Sequence, residues 1–174
     1  THAPYTFPEN DVVRPNYQKD LNYVDMNLQT DVEPIHARYI NAAHHIDREV
    51  GRLLDSLKAS GMLENTIVMF TGDHGEEFME KGHWGHGHNK SFPEEQIHVP
   101  MVLWMPGQKA EVIKHPTSHL QIAPTLLGQL GVTQDPKTYS SAGTLFSQQP
   151  YFVAGDYHYM TLFDERNKIT FPFS

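Results

Sequence analysis

Between residues 32 and 60 apolar side chains recur every three or four positions: Ile35, Tyr39, Ile46, Val50, Leu53, Leu54 and Leu57. That period predicts an amphipathic helix over roughly 32–60. Thr30 or Asp31 can cap its start, Pro34 suits its first turn, and Gly61 ends it. The pattern then changes. Thr66-Ile67-Val68-Met69-Phe70-Thr71 is an unbroken apolar run, and a second runs from Val99 to Met105 before Pro106-Gly107. Continuous runs of this kind predict strands covered on both faces, as in a parallel sheet. The expectation is that 66–71 and 99–105 are parallel neighbours. A second amphipathic helix is expected over 118–130, capped by Ser118 and carrying Leu120, Ile122, Leu126, Leu127 and Leu130, with Pro124 offsetting its start. The tail alternates as strands at 151–154, 157–163 and 168–171, with 164–167 as a hairpin turn.

Residues 1–30, punctuated by Pro4, Pro8 and Pro15, read as irregular. Residues 75–97 form a long connection rich in His and Gly, and such loops in compact domains are usually functional or disordered. The order helix, strand, loop, strand, helix, meander reads as α/β with an antiparallel edge, in a single domain spanning 1–174.

Composition narrows the partners. A net charge of −8, with lysines and arginines scattered singly, excludes nucleic acid, whose phosphates demand a basic face. The lack of cysteine excludes disulfides and thiolate zinc sites. No run approaches the ~18–20 apolar residues that cross a bilayer, and no signal-peptide pattern is present. The chain opens at Thr1 directly in a motif, so it reads as a part excised from a longer protein. Twelve histidines are the compositional oddity and hint at metal or phosphate-type chemistry.

Asp73-His74 directly follows the first predicted strand, where open α/β sheets place their ligands. An adjacent carboxylate and imidazole can reach one divalent cation, and Gly72 and Gly75 leave the backbone free to turn. The same residues also read as a plain turn with an exposed histidine. Further on comes His83-Trp84-Gly85-His86-Gly87-His88. These imidazoles could ligate metal, bind an anionic oxygen or donate a proton to a leaving group. His83 and His88, taken singly, read as residues of a loop without a ligand. Lys90 reads as solvated surface, although its charge suits a phosphate or sulfate. His2 alone says nothing.

Four segments carry a resemblance: His2-Ala3-Pro4-Tyr5, Phe70-Thr71-Gly72-Asp73-His74-Gly75-Glu76, Glu94-Glu95-Gln96-Ile97-His98-Val99-Pro100, and His119-Leu120-Gln121-Ile122-Ala123-Pro124-Thr125-Leu126-Leu127. In kind and order they resemble sulfatases of the alkaline-phosphatase superfamily. The resemblance is nearest to the membrane-anchored lipoteichoic acid synthases, phosphoethanolamine transferases and inner-membrane sulfatase-like proteins. It implies an alkaline-phosphatase-like sandwich, present in part, with a mostly parallel central sheet, helices on both faces and a C-terminal antiparallel meander. It implies that Asp73 and His74 are metal ligands. It also implies that His86 contacts the transferred group or a second metal, and that His2 binds the phosphate or sulfate. His98-Val99-Pro100 leads into a core strand and reads as structural.

The implied cofactor is a divalent cation, zinc or manganese, with calcium or magnesium as alternatives. The implied substrate is a small-molecule or lipid sulfate or phosphate ester. The implied location is the periplasmic or extracytoplasmic face of a bacterial inner membrane, with membrane contact only through segments outside this chain. The family's Thr, Ser or formylglycine nucleophile and its acidic metal ligands precede the His-x-Pro motif, so the isolated chain is expected to bind metal weakly and to catalyse nothing. Gln121 stands where many relatives have Asp, which bears on packing or a hydrogen bond. The alternative reading is a non-catalytic sulfatase-fold module that binds or regulates at a bacterial inner membrane.

Overall fold

The computed structural model describes residues 2–22, 24–86 and 92–173. They divide into two compact units, Thr1–Asn89 with Pro93–Gln108, and Lys90–Phe92 with Lys109–Ser174. The first unit is built on α1 (Val32–Ala59), β1 (Val68–Thr71), a hairpin of β2 (Glu77–Phe78) and β3 (Trp84–Gly85), the one-turn α2 (Glu94–Ile97), and β4 (Met101–Trp104). The second contains α3 (Ile122–Gln129) and the strands β5 (Phe152–Gly155), β6 (Tyr159–Phe163) and β7 (Lys168–Pro172).

Helix α1 agrees with its apolar period, and Gly61 sits just past its end at φ 70°, the left-handed conformation glycine adopts at little cost. Its deepest residues are Ile35, Asn41 and Ala42 in the first half. Ile35 and Ala42 pack with Tyr5 and Phe78, flanked by Ala3, Phe7, Leu21, Met26, Val32, Tyr39 and Trp84. The irregular N-terminal segment therefore supplies much of this core. Its backbone polar groups need partners, and α1 provides them. The buried Asn41 amide accepts from the Val13 and Arg14 N–H groups and donates to the Arg14 carbonyl. Arg38 donates to the carbonyls of Pro4, Gln18 and Lys19. The buried Asp11 carboxylate is met by His45 and Arg48.

Strands β1 and β4 are neighbours, as expected, but they run antiparallel, with Val68 opposite Trp104 and Thr71 opposite Met101. The connection explains the correction. A parallel partner requires the chain to cross back to the strand's starting end. Here the β2–β3 hairpin and α2 lie between the two strands in sequence, and the Gly75 N–H closes on the Gln96 carbonyl at 2.7 Å, which brings the chain ahead of β4 back to the end of β1. Strand β4 thus begins where β1 stopped and returns alongside it. Nor are both faces covered: Phe70, Val102 and Trp104 are exposed, and the mostly parallel central sheet is not present among the described residues.

In the second unit β5, β6 and β7 form the expected antiparallel meander. The hairpin turn at 164–167 is held by the Asp164 carboxylate, which accepts from the Arg166 and Asn167 N–H groups. Gln121 is fully buried ahead of α3. Its amide donates to the carbonyls of Thr144 and Ser147 and accepts from the Ser118 N–H, which ties residues 144–147 to the helix start.

Candidate active site

Strand β1 ends at Thr71 and delivers Asp73 and His74 into the following turn. The Asp73 side chain is 91% exposed, and its nearest oxygen lies 3.9 Å from His74 Nε2. The His74 backbone N–H donates to Asp73 Oδ1 and is the main reason this carboxyl lies below the usual carboxylate range; Asp73's own N–H and the His74 ring add to it. His74 Nδ1 lies 2.8 Å from the Gly75 carbonyl.

Gly75 is small for a reason other than freedom to turn. Neither Gly72 nor Gly75 has a positive φ. A Cβ on Gly75 would sit 2.0 Å from the Glu95 carbonyl oxygen, so α2 can approach the motif only because a side chain is missing. Gly85, at φ 92°, does use the left-handed region, immediately before His86.

Three of the expected histidines meet. The His74 and His86 rings lie 3.9 Å apart between centroids, and the His2 ring approaches His86 edge-on at 5.4 Å. His2 Nδ1 is 2.7 Å from the Ala3 carbonyl. His83 contributes its backbone, with its N–H bonded to Glu77. His88 and Lys90 lie outside the described residues.

Two residues here carried no role on sequence grounds. Glu76, its side chain 5% exposed, takes His86 Nδ1 at 3.0 Å on one oxygen and the Tyr5 hydroxyl at 2.9 Å on the other. Tyr5 is fully buried and packs edge-to-face with Tyr39. Burial raises the Tyr39 phenol above its ordinary value, and the negative charge of Glu76 raises it further. A weak signal for Glu76 existed. It closes the segment Phe70-Thr71-Gly72-Asp73-His74-Gly75-Glu76 that carries the resemblance.

The donor chemistry suits a divalent cation in part. Asp73 offers an exposed, ionised carboxylate and His74 an imidazole nitrogen on the facing side, the mixed oxygen and nitrogen set that zinc and manganese accept. Among the described residues no group of three or more ligating side chains is arranged around one point. The pair fits as part of a shell.

An α/β protein with an imidazole-rich cluster where a strand ends is what these features define. The chain belongs to the sulfatase family, whose model, described as "Sulfatase", matches residues 1–132; the family is typically metal-dependent. It is 33% identical over 95 residues to a choline-sulfatase of Rhizobium meliloti, covering 55% of this chain and 18% of that protein. It is 29% identical over 114 residues to the inner membrane protein YejM of Salmonella typhimurium, covering 63% of this chain and 18% of YejM. The chain thus spans about a fifth of the length of these relatives. Its fold resembles that of the phosphonate monoester hydrolase SpPMH from Silicibacter pomeroyi, with a TM-score of 0.65 and 20% identity, over 88% of this chain and 37% of that one. The fold is accordingly alkaline-phosphatase-like.

Proposed function

We propose that the chain is the C-terminal portion of a sulfatase-like catalytic domain that hydrolyses or transfers sulfate or phosphate esters. The observation that supports this best is the meeting of His2, His74 and His86 beside Asp73 at the end of β1. A fold scaffold has no physical need to bring three imidazoles and a carboxylate together where one strand ends. In this reading Asp73 and His74 hold a divalent cation, with the remaining ligands supplied outside the chain. Such a cation, zinc or manganese in first place, would when bound supply positive charge opposite the transferred group. His2 and His86 stand beside the ester, a small molecule or a lipid headgroup, and in their protonated form would donate from Nε2 to its phosphoryl or sulfuryl oxygens. The nucleophile belongs to a preceding part of a longer protein, and the isolated chain binds metal weakly and turns nothing over.

The likeness to YejM, an inner membrane protein, supports a parent at the extracytoplasmic face of a bacterial inner membrane. Among the described residues no helix is long and apolar enough to cross a membrane.

The test uses the full-length parent, assayed with a nitrophenyl sulfate and a nitrophenyl phosphate, with and without zinc or manganese. Metal-dependent turnover that is lost in Asp73→Ala is expected. The Asp73 side chain bonds only locally, so folding stability should move by no more than about 0.5 kcal/mol. A parent that turns over neither ester with any of the metals would favour a non-catalytic binding or regulatory module. Nanomolar metal affinity of the isolated chain in calorimetry would overturn the incomplete shell.

A further inference from the structure

The three histidines of the cluster share a feature that ring positions alone do not reveal. In each, Nδ1 lies within hydrogen-bond distance of an oxygen: the Ala3 carbonyl for His2, the Gly75 carbonyl for His74, and the Glu76 carboxylate for His86. Carbonyls and ionised carboxylates only accept, so each Nδ1 carries the proton and each neutral ring keeps its lone pair on Nε2. For His2 and His74 the acceptor is backbone of the next residue, and the local chain fixes it. For His86 the acceptor is a side chain, which must itself be held in place.

We propose that Glu76 is a positioning residue for His86, and that Tyr5 in turn positions Glu76. The Tyr5 hydroxyl donates to one Glu76 oxygen at 2.9 Å, and the other oxygen receives His86 Nδ1–H at 3.0 Å. Tyr5 is fully buried in the core of the first unit, so the anchor is rigid. Glu76 is almost fully buried, and its two partners leave it little reason to rotate. The chain Tyr5–Glu76–His86 delivers His86 with Nε2 as an acceptor. A neutral His86 of this form can take a proton or bind an electron-pair acceptor, but it has no Nε2–H to give. Of the roles open to it on sequence grounds, this tautomer suits metal ligation, whereas proton donation to a leaving group and a hydrogen bond to an anionic oxygen both need a proton on Nε2. The role for His86 rests on the proposed ester chemistry; the tautomer does not.

The experiment is long-range 1H–15N correlation spectroscopy of the imidazoles in the 174-residue chain, without metal or substrate, at a pH above imidazole titration. His86 signals are identified by their loss in His86→Gln. The expected wild-type result is a pyrrole-type Nδ1 and a pyridine-type Nε2 for His86. Glu76→Ala should move His86 toward the Nε2–H form, whereas Glu76→Gln, whose amide oxygen still accepts, should retain Nδ1–H. Tyr5→Phe, which removes only the hydroxyl, should shift His86 part of the way. A wild-type His86 protonated on Nε2 would overturn the proposal, and so would a tautomer unmoved in both Glu76→Ala and Tyr5→Phe. Should Glu76→Ala fail to fold, the wild-type and Tyr5→Phe spectra still decide. Failure of the ester chemistry would appear in the turnover assay and leave these spectra as they are.

Discussion

Glu76 and Glu77 are adjacent, chemically identical and both nearly sealed from water, yet they serve different surroundings. Glu77 opens β2 and turns toward the floor of the hairpin. One of its oxygens accepts the backbone N–H groups of Lys81 and His83, and the other accepts the Gln96 amide. It closes the hairpin and fastens α2 to it. Glu76 is bound instead by a phenol and an imidazole, side chains 71 and 10 positions away. A carboxylate bound mainly by backbone donors is a structural clamp, because it fixes the path of the chain that carries them. A carboxylate bound by side chains can instead set the state of a reactive group. The difference lies in the donors.

The comparison breaks most visibly at Glu77. Glu77→Ala strands three donors and should cost roughly 3–4 kcal/mol of folding free energy, measured by the shift of a urea midpoint at constant slope. Glu77→Gln should be nearly as harmful, because its NH2 would confront donors on whichever side it faced. A loss below about 1 kcal/mol would mean the clamp is not needed. Gly75→Ala comes next. It drives a methyl into the Glu95 carbonyl, and should cost about 3 kcal/mol while displacing α2 from the motif. Protection of the Gly75 amide from hydrogen exchange should fall with it.

Glu76→Ala should cost less, about 1–2 kcal/mol, because it removes a single buried hydrogen bond, from the Tyr5 hydroxyl, while the half-exposed His86 ring can turn to water. A penalty equal to that of Glu77→Ala would erase the distinction between the two glutamates. The smallest effect is at Asp164, a carboxylate likewise held by backbone donors but on the surface. The Arg166 N–H, then the Asn167 side chain and N–H, hold it below the usual carboxylate range. Because its folded-state pKa is depressed, its contribution to the hairpin is present above the unfolded-state value and is lost as pH falls through the folded one. Carboxyl chemical shifts followed through acid titration should show Asp164 protonating below an unstructured aspartate, and the Asp164→Asn variant should lose that acid dependence.

Much was legible along the chain because it is local. The apolar period of α1, its end at Gly61, the meander with its turn at 164–167 and the motif Asp73-His74 depend on residues a few positions apart, where spacing determines which side chains share a face. Gln121 was singled out by its place in a motif, and its buried amide then proved to hold two distant carbonyls. Strand direction was not legible. An unbroken apolar run is the same string whether its neighbour runs with it or against it, and the choice between them fell to a contact, Gly75 N–H to the Gln96 carbonyl, that returns the chain to the end of β1.

The sequence by itself determined the long helix, the C-terminal meander, the family motifs and the candidate site residues Asp73, His74, His86 and His2, while the β2–β3 hairpin and α2 lay within what read as a long connection. Only the tertiary structure decided that β4 returns antiparallel to β1, that Gly75 is a contact point for Glu95, and that Tyr5 and Glu76 stand behind His86. These contacts join residues from ten to seventy-one positions apart, beyond the reach of local spacing, and tyrosine and glutamate occur everywhere on protein surfaces. What singles them out is burial beside a particular partner, and burial is a property of the packed chain.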